Sequence, residues 1–435
     1  MQTLRPVVLM FMGILGVATG SLAREAADPT LIAEISQIRA IDNHCHDDSV
    51  DVQRGPNWRE DAPLGASRYP DVVPLRHENP DWIRAWKALY GYRYNDMQPA
   101  HLRELLQTKR GLMRQMGDAW PRSVLDKAGV DIAFVNATKL GAGQQNSRFR
   151  WVPYADPMLW PFSGEKIRLR FTGDGGSIAQ LMRESGVGSV PLTLDDYDAQ
   201  LIDPTLKRWK AAGAVAVKFL AAYTRSLDFA VVDRETAASL YSKAASGTTL
   251  APAEAKALED HLFSDIAARA GSYGIVVHIH TGNGDGPFFN NSNANPGLLE
   301  SAIGSKPLRQ TNFVLLHGGW PFHTTAQAML DKPNTYVDFS AETFYLTPHA
   351  LASVLRGWLE WHPEKVLFGT DAYSDENSPL SDYEEKQWLM ADNARHALAI
   401  ALSAMVQEGS ITRGRASKIA HMVMRDNAAA LYHLN

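Results

Sequence analysis

The chain is short of cysteine, of surplus basic charge and of long apolar runs. Cys45 is the single cysteine among 435 residues, so no disulfide can form within the chain and stability must rest on a packed core. Lysine and arginine number 43 against 48 aspartates and glutamates, a formal charge of -5, which argues against nucleic acid as the main partner. No low-complexity tract, Gly/Ser linker or internal repeat divides the sequence. One apolar run stands out, "VVLMFMGILGVA" near the N-terminus, and at about a dozen residues it is short for a membrane span.

That run follows Arg5 and precedes "TGSLAREAA", in which Ser21 and Ala23 occupy the small-residue positions of a cleavage site. Residues 1–23 are therefore expected to be an export leader; cleavage after Ala26 and retention as an anchor are the alternatives. The mature protein is expected to be periplasmic or secreted and free of the membrane. Loss of Arg5 with the leader takes the net charge from -5 to -6.

What is abundant is a rhythm. Short apolar or β-branched runs recur at 39–44, 130–137, 149–155, 214–221, 274–280, 312–317, 335–340 and 365–371, most of them followed by a helix-compatible stretch. Near-continuous apolar runs suit strands buried on both faces, and helices between them imply parallel crossovers. Eight such units predict an α/β fold of the (β/α)8 TIM-barrel type over residues 30–435, with a doubly wound open sheet as the alternative. Two connections are long, 47–128 and 156–213. The first carries "PDWIRAWKALYGYRY", which reads either as a lid or wall of the barrel mouth or as a helical layer on its outside.

The ionisable residues fall where these runs end. "AIDNHCHDD" sets His44 and His46 two apart, so on a regular strand they share one face, with Asp42, while Cys45 takes the other. With 14 histidines, chance supplies about half of one such pair, so the motif alone is weak. Lys218, His280, His317 and Asp371 end, or nearly end, four further runs. An apolar strand finishing in an ionisable group is costly unless that group is paired, ligated or wet. Together the six form the donor set of a metal site, at the strand ends where barrel enzymes keep their chemistry. Asp42 is expected to support the ligands from behind. His278, one layer below His280, reads as a hydrogen-bonded core residue, and Glu342 as a mouth or surface residue.

The stretches "IDNHCH", "AVKFLAAY", "HIHTGNGD", "VLLHGGWPF", "YVDFS", "VLFGTDAY" and "DNAAALYHL", in this order between residues 41 and 433, resemble the amidohydrolase superfamily. The likeness is to its amidohydrolase-related branch, and within it to the N-terminal domain of FluG-like and nodulin–glutamine synthetase fusion proteins. The resemblance implies that His44, His46, His280 and Asp371 ligate a divalent metal, zinc above all. It makes His317 a second-metal ligand or an acid/base, and puts Lys218 where some members carry a carboxylated lysine bridging two ions. One or two ions per chain follow. The family arginine of the "AAY" segment is displaced here to Arg225, which puts an anion-binding role for it in doubt.

The expected activity is hydrolysis of a small amide, lactone, ester or cyclic amide, with Asp371, His317 and Lys218 at the reacting centre. A metal-dependent decarboxylase or lyase, and a metal-bearing binding protein without turnover, are the competing readings. The expected partner is a small-molecule substrate; no sequence feature marks a subunit interface.

Overall fold

The computed structural model describes residues 27–46, 71–162, 177–284, 288–374 and 378–434. The leader 1–23 and the stretch 47–70 lie outside the described residues. Among the described residues eight strands form: β1 Ala40–Cys45, β2 Val130–Asn136, β3 Phe149–Val152, β4 Ala216–Phe219, β5 Val276–His280, β6 Phe313–Leu316, β7 Thr335–Asp338 and β8 Val366–Leu367. Seven fall inside their apolar runs, and β1 extends one residue past its run, to Cys45. Nearly all of their residues are buried, as strands covered on both faces require.

All strand pairs are parallel, in the orders β1-β2-β3 and β4-β5-β6-β7-β8. Two seams join the groups into a closed barrel. Between β3 and β4, Val215 N donates to Trp151 O (3.1 Å), Lys218 N to Pro153 O (2.8 Å) and Ala155 N to Lys218 O (2.8 Å). Between β8 and β1, Asn43 N donates to Phe368 O (2.9 Å), Asp371 N to His44 O (2.8 Å) and His46 N to Ala372 O (2.7 Å). Closure leaves no sheet edge. β8 is regular for only two residues; beyond it the run to Asp371 bonds to β1 through this seam instead of extending the ladder.

Ten helices matter here. α1 Asp81–Tyr90, α2 Pro99–Met116 and α3 Trp120–Lys127 separate β1 from β2. α4 Asp203–Ala211 leads to β4, α5 Pro252–Ser272 to β5, α6 His323–Met329 to β7 and α7 Pro348–Trp361 to β8. The chain ends with α8 Tyr383–Gln407, α9 Arg413–His421 and α10 Asn427–Leu431. Inside the barrel, Ile41, Ile132, Phe134, Val152, Val276 and Val314 pack with Leu431 and Tyr432, so the C-terminal helix plugs the floor.

The first strand breaks its own alternation. Its pairing with β2 shifts register between Asp42 and Cys45, and Asn43 and His44 both make their contacts within the barrel. Asp42 is therefore not on the face of His44, as strict alternation predicts. It turns outward, accepting from Gln387 Nε2 of α8 (2.8 Å) and from Thr370 N (2.9 Å) and Oγ1 (2.6 Å). Local register shifts of this kind re-aim side chains beside functional sites.

The aromatic segment at 80–94 is a helical layer outside the barrel. Trp82 and Trp86 of α1 are buried, α1 packs on α8, and the Trp86 indole donates to Leu380 O (2.7 Å). A buried ionic cluster fastens this layer. Lys109 of α2 donates to Glu384 Oε2 (2.8 Å), to both Glu385 oxygens (3.1 and 3.0 Å) and to Pro379 O (2.7 Å). Trp120 Nε1 and Tyr90 OH complete the carboxylates at 2.9 and 2.6 Å. Removing the cation that both buried carboxylates share weakens their pairing, so Lys109→Met is expected to cost about 3–5 kcal/mol of stability in urea denaturation. A loss under about 1 kcal/mol would mean that the cluster does not hold the layer.

Candidate metal centre

Ionisable side chains from five strand ends meet at the carboxyl end of the barrel. Asp371 Oδ1 lies 3.1 Å from His44 Nε2 and 3.4 Å from His46 Nε2, and its Oδ2 lies 3.7 Å from His317 Nδ1. Lys218 Nζ stands 3.4 Å from His44 Nε2. The imidazole of His317 is 5.2 Å from that of His44 and 4.6 Å from that of His280, between centroids. The tightest group is His44, His317 and Asp371, each offering a donor atom within 4.8 Å of the others. His46 and His280 flank it. All six residues singled out in the sequence thus come together, although His317, not His280, completes the compact trio.

The backbone is strained at the two residues that follow strand ends. His317 (φ 66°) and Asp371 (φ 56°) both adopt the left-handed region, as does Ala341 (φ 59°) after β7. Non-glycine residues held there concentrate at functional sites. Glycine is required beside them: at Gly318 (φ 57°) an added Cβ would collide with the Glu342 carboxylate and the Trp358 ring. Glu342 itself is buried, with neither carboxylate oxygen hydrogen-bonded, and burial pushes its pKa well up.

The imidazoles are oriented from behind. His280 Nε2 is buried without a hydrogen-bond partner among the described residues. His46 Nδ1 lies 3.4 Å from Tyr154 OH. His317 Nδ1 meets Ser340 Oγ at 3.0 Å. An imidazole supported at Nδ1–H presents Nε2 as a bare lone pair, the form in which histidine ligates metal. Burial, helped by the Lys218 charge, drives the pKa of His44, His280 and His317 down, and it takes His46 to about 3, which favours neutral imidazoles. Burial likewise raises Asp371 and lowers Lys218, each partly offset by the other.

Other sequence candidates have separate duties. His278 is buried with Nε2 2.6 Å from Tyr432 OH. Arg225 is engaged by Glu259 (2.7 Å) and Asp260 and lies over the Phe229 ring, which commits its charge to carboxylates of the chain itself. Sequence reasoning missed Asp338 and Ser340. Their signal was present in "YVDFS": two polar residues of one parity ending a buried strand. Asp156 was missed as well; both its oxygens accept from Leu220 N (2.8 and 2.9 Å), fixing the turn just beyond Lys218. Tyr223 and Phe289 put aromatic rings 4.7 and 5.8 Å from the His280 ring, an apolar wall to the mouth.

A family model described as amidohydrolase matches residues 41–434, from β1 to the floor helix. The chain belongs to the amidohydrolase family. Members of that superfamily are metal-dependent enzymes, and the donor set described above fits a divalent ion in both kind and spacing. Among solved structures, the fold resembles a protein of Lactobacillus casei named as a metal-dependent hydrolase (18% identity, TM-score 0.64, covering 93% of this chain and 97% of that one). It also resembles uronate isomerase of Thermotoga maritima (14%, 0.64, 93% and 96%) and glucuronate isomerase of Caulobacter crescentus (13%, 0.64, 93% and 93%). No curated protein matches the chain.

Gly318→Ala places a methyl group against Glu342 and Trp358 in a conformation alanine resists. It is expected to lower stability by about 1–3 kcal/mol in thermal or urea unfolding. An unchanged midpoint would show that the turn after β6 relaxes freely.

Proposed function

We propose that this amidohydrolase is a hydrolase of a small amide, lactone, ester or cyclic amide, using one divalent ion held by His44, His317 and Asp371 with His46 and His280 beside it. The supporting observation is the convergence of bare imidazole nitrogens and one carboxylate in a buried, strained setting. Zinc is the proposed metal, since imidazole and carboxylate ligands suit it.

When bound, such an ion lowers the pKa of a water molecule from 15.7 to roughly 7 and polarises a carbonyl. The chain's own residues do the rest. Asp371, with a carboxyl raised by burial, accepts the proton of the attacking water and returns it to the leaving group. His317, locked through Ser340 and Asp338, presents its ligating nitrogen without reorganising. Lys218 lies close enough to His44 to balance Asp371 or, if carboxylated, to hold a second ion. Tyr223 and Phe289 exclude water from one side.

The motifs "HIHTGNGD" and "VLLHGGWPF" further support a FluG-like affiliation within the family. Residues 1–23 are proposed as an export leader of a periplasmic or secreted enzyme, and residues 30–435 as one catalytic domain. Edman sequencing of the mature protein should then begin at Arg24, and a chain retaining Met1 would refute export with cleavage.

The activity test is a screen of small amides, lactones and esters in 18O water, with metal content measured in the same preparation. Hydrolysis predicts label in the product and at least one divalent ion per chain. Asp371→Asn is expected to reduce kcat by about 10³-fold or more. Carbon dioxide released without label would assign the decarboxylase reading, and Asp371→Asn that leaves function untouched would assign the binding-protein reading. Lys218→Ala should lower the ion count from two to one if the lysine is carboxylated, and leave a count of one unchanged if it is not.

A further inference from the structure

A chain of hydrogen bonds crosses the barrel interior from its floor to its mouth. Tyr432, just past α10, stands with its ring edge-on to Phe134 at 4.6 Å. Its hydroxyl lies 2.6 Å from Nε2 of His278 and 2.6 Å from Oδ1 of Asn43. Asn43 Nδ2 in turn donates to Asp338 Oδ2 at 2.8 Å. The other oxygen of Asp338 accepts from Ser340 Oγ (2.6 Å), Ser340 N (3.2 Å) and His317 N (2.9 Å). Ser340 Oγ then meets His317 Nδ1 at 3.0 Å.

The donor inventory gives each link a direction. Within the Asn43 amide, only nitrogen can donate to a carboxylate, so its oxygen faces Tyr432 and takes the phenolic proton. Tyr432 has no second proton, and its oxygen can meet His278 Nε2 only by accepting. His278 is thereby an Nε2–H tautomer, and its Nδ1 is a bare, buried nitrogen without a partner. At the other end the Ser340 proton goes to Asp338, so the Ser340 oxygen accepts Nδ1–H from His317. That leaves Nε2 of His317 bare.

We infer that Tyr432 is a positioning residue of the metal centre, fixing His278 and His317 in opposite tautomers through Asn43, Asp338 and Ser340. The link to metal affinity rests on the proposed reading of the mouth as a metal site, whereas the tautomers themselves do not. Without the hydroxyl, His278 Nε2–H loses its acceptor and Asn43 Oδ1 its donor. The amide that donates to Asp338 is then held from one side only, and the support beneath His317 loosens. Groups that orient metal-ligating histidines from behind typically change affinity by about 10–100-fold when removed.

The test uses full-length, metal-stripped protein with 15N-labelled histidine. Long-range proton–nitrogen spectra separate protonated from bare ring nitrogens, and His278→Gln and His317→Gln assign the two signals. The wild type is expected to show Nε2–H at His278 and Nδ1–H at His317. Tyr432→Phe, which keeps the ring on Phe134, should scramble both patterns and weaken divalent-ion binding at least tenfold. Ser340→Ala should move His317 alone. Wild-type His278 in the Nδ1–H form would overturn the inference, even if Tyr432→Phe fails to fold. So would Tyr432→Phe spectra identical to the wild type. Both tautomers found as expected in a protein that binds no divalent ion would overturn the functional reading and the role at a metal centre, and leave only the tautomer assignment standing.

Discussion

Ionisable groups are expensive to remove from water, and this barrel removes many of them at one end. His44 and Lys218 are fully buried, His280 and His317 nearly so, and Asp371 joins them from the seam between β8 and β1. Each charge left uncompensated there would cost several kcal/mol. The structure meets that cost by keeping the imidazoles neutral, by setting Lys218 against Asp371, and by giving Asp338 four donors. What remains is a cluster of imidazole nitrogens and one carboxylate, a donor set of the kind that suits a divalent cation.

Rigidity comes from the same source. His317 and Asp371 are held in left-handed backbone that neither residue prefers, and Gly318 is packed against Glu342 and Trp358. Such strain persists only where the surroundings over-determine the conformation. Here the surroundings are the barrel seam, which bonds Asp371 N to His44 O, and the Asp338 carboxylate, which holds His317 N. Donor atoms fixed in this way lose little freedom when an ion binds.

Much of the architecture was legible in the residues. Apolar runs of strand length, separated by helical stretches, marked all eight strands, because strands buried on both faces carry little else. The ionisable ends of those runs marked the site for the same reason: few other residues would interrupt them. Alternation failed at "AIDNHC", where a register shift turns Asn43 and His44 inward together and Asp42 outward. Such a shift depends on pairing with β2 and leaves no local trace. The segment 80–94 read equally well as a lid or an outer layer, since its tryptophans would be apolar in either place. The buried Lys109 cluster, formed with residues some 275 positions away, decided the matter. Tyr432 and Asn43 were invisible for a similar reason: their role depends on the C-terminal helix closing the floor beneath strands from the other end of the chain.

Function converges on one place in space, the volume between His44, His317 and Asp371. The most direct measurement is anomalous diffraction from crystals of protein loaded with a single divalent metal. A strong peak is expected within about 2.5 Å of donor atoms from all three residues. A protein that carries stoichiometric metal elsewhere, or a peak ligated by none of these three, would contradict it.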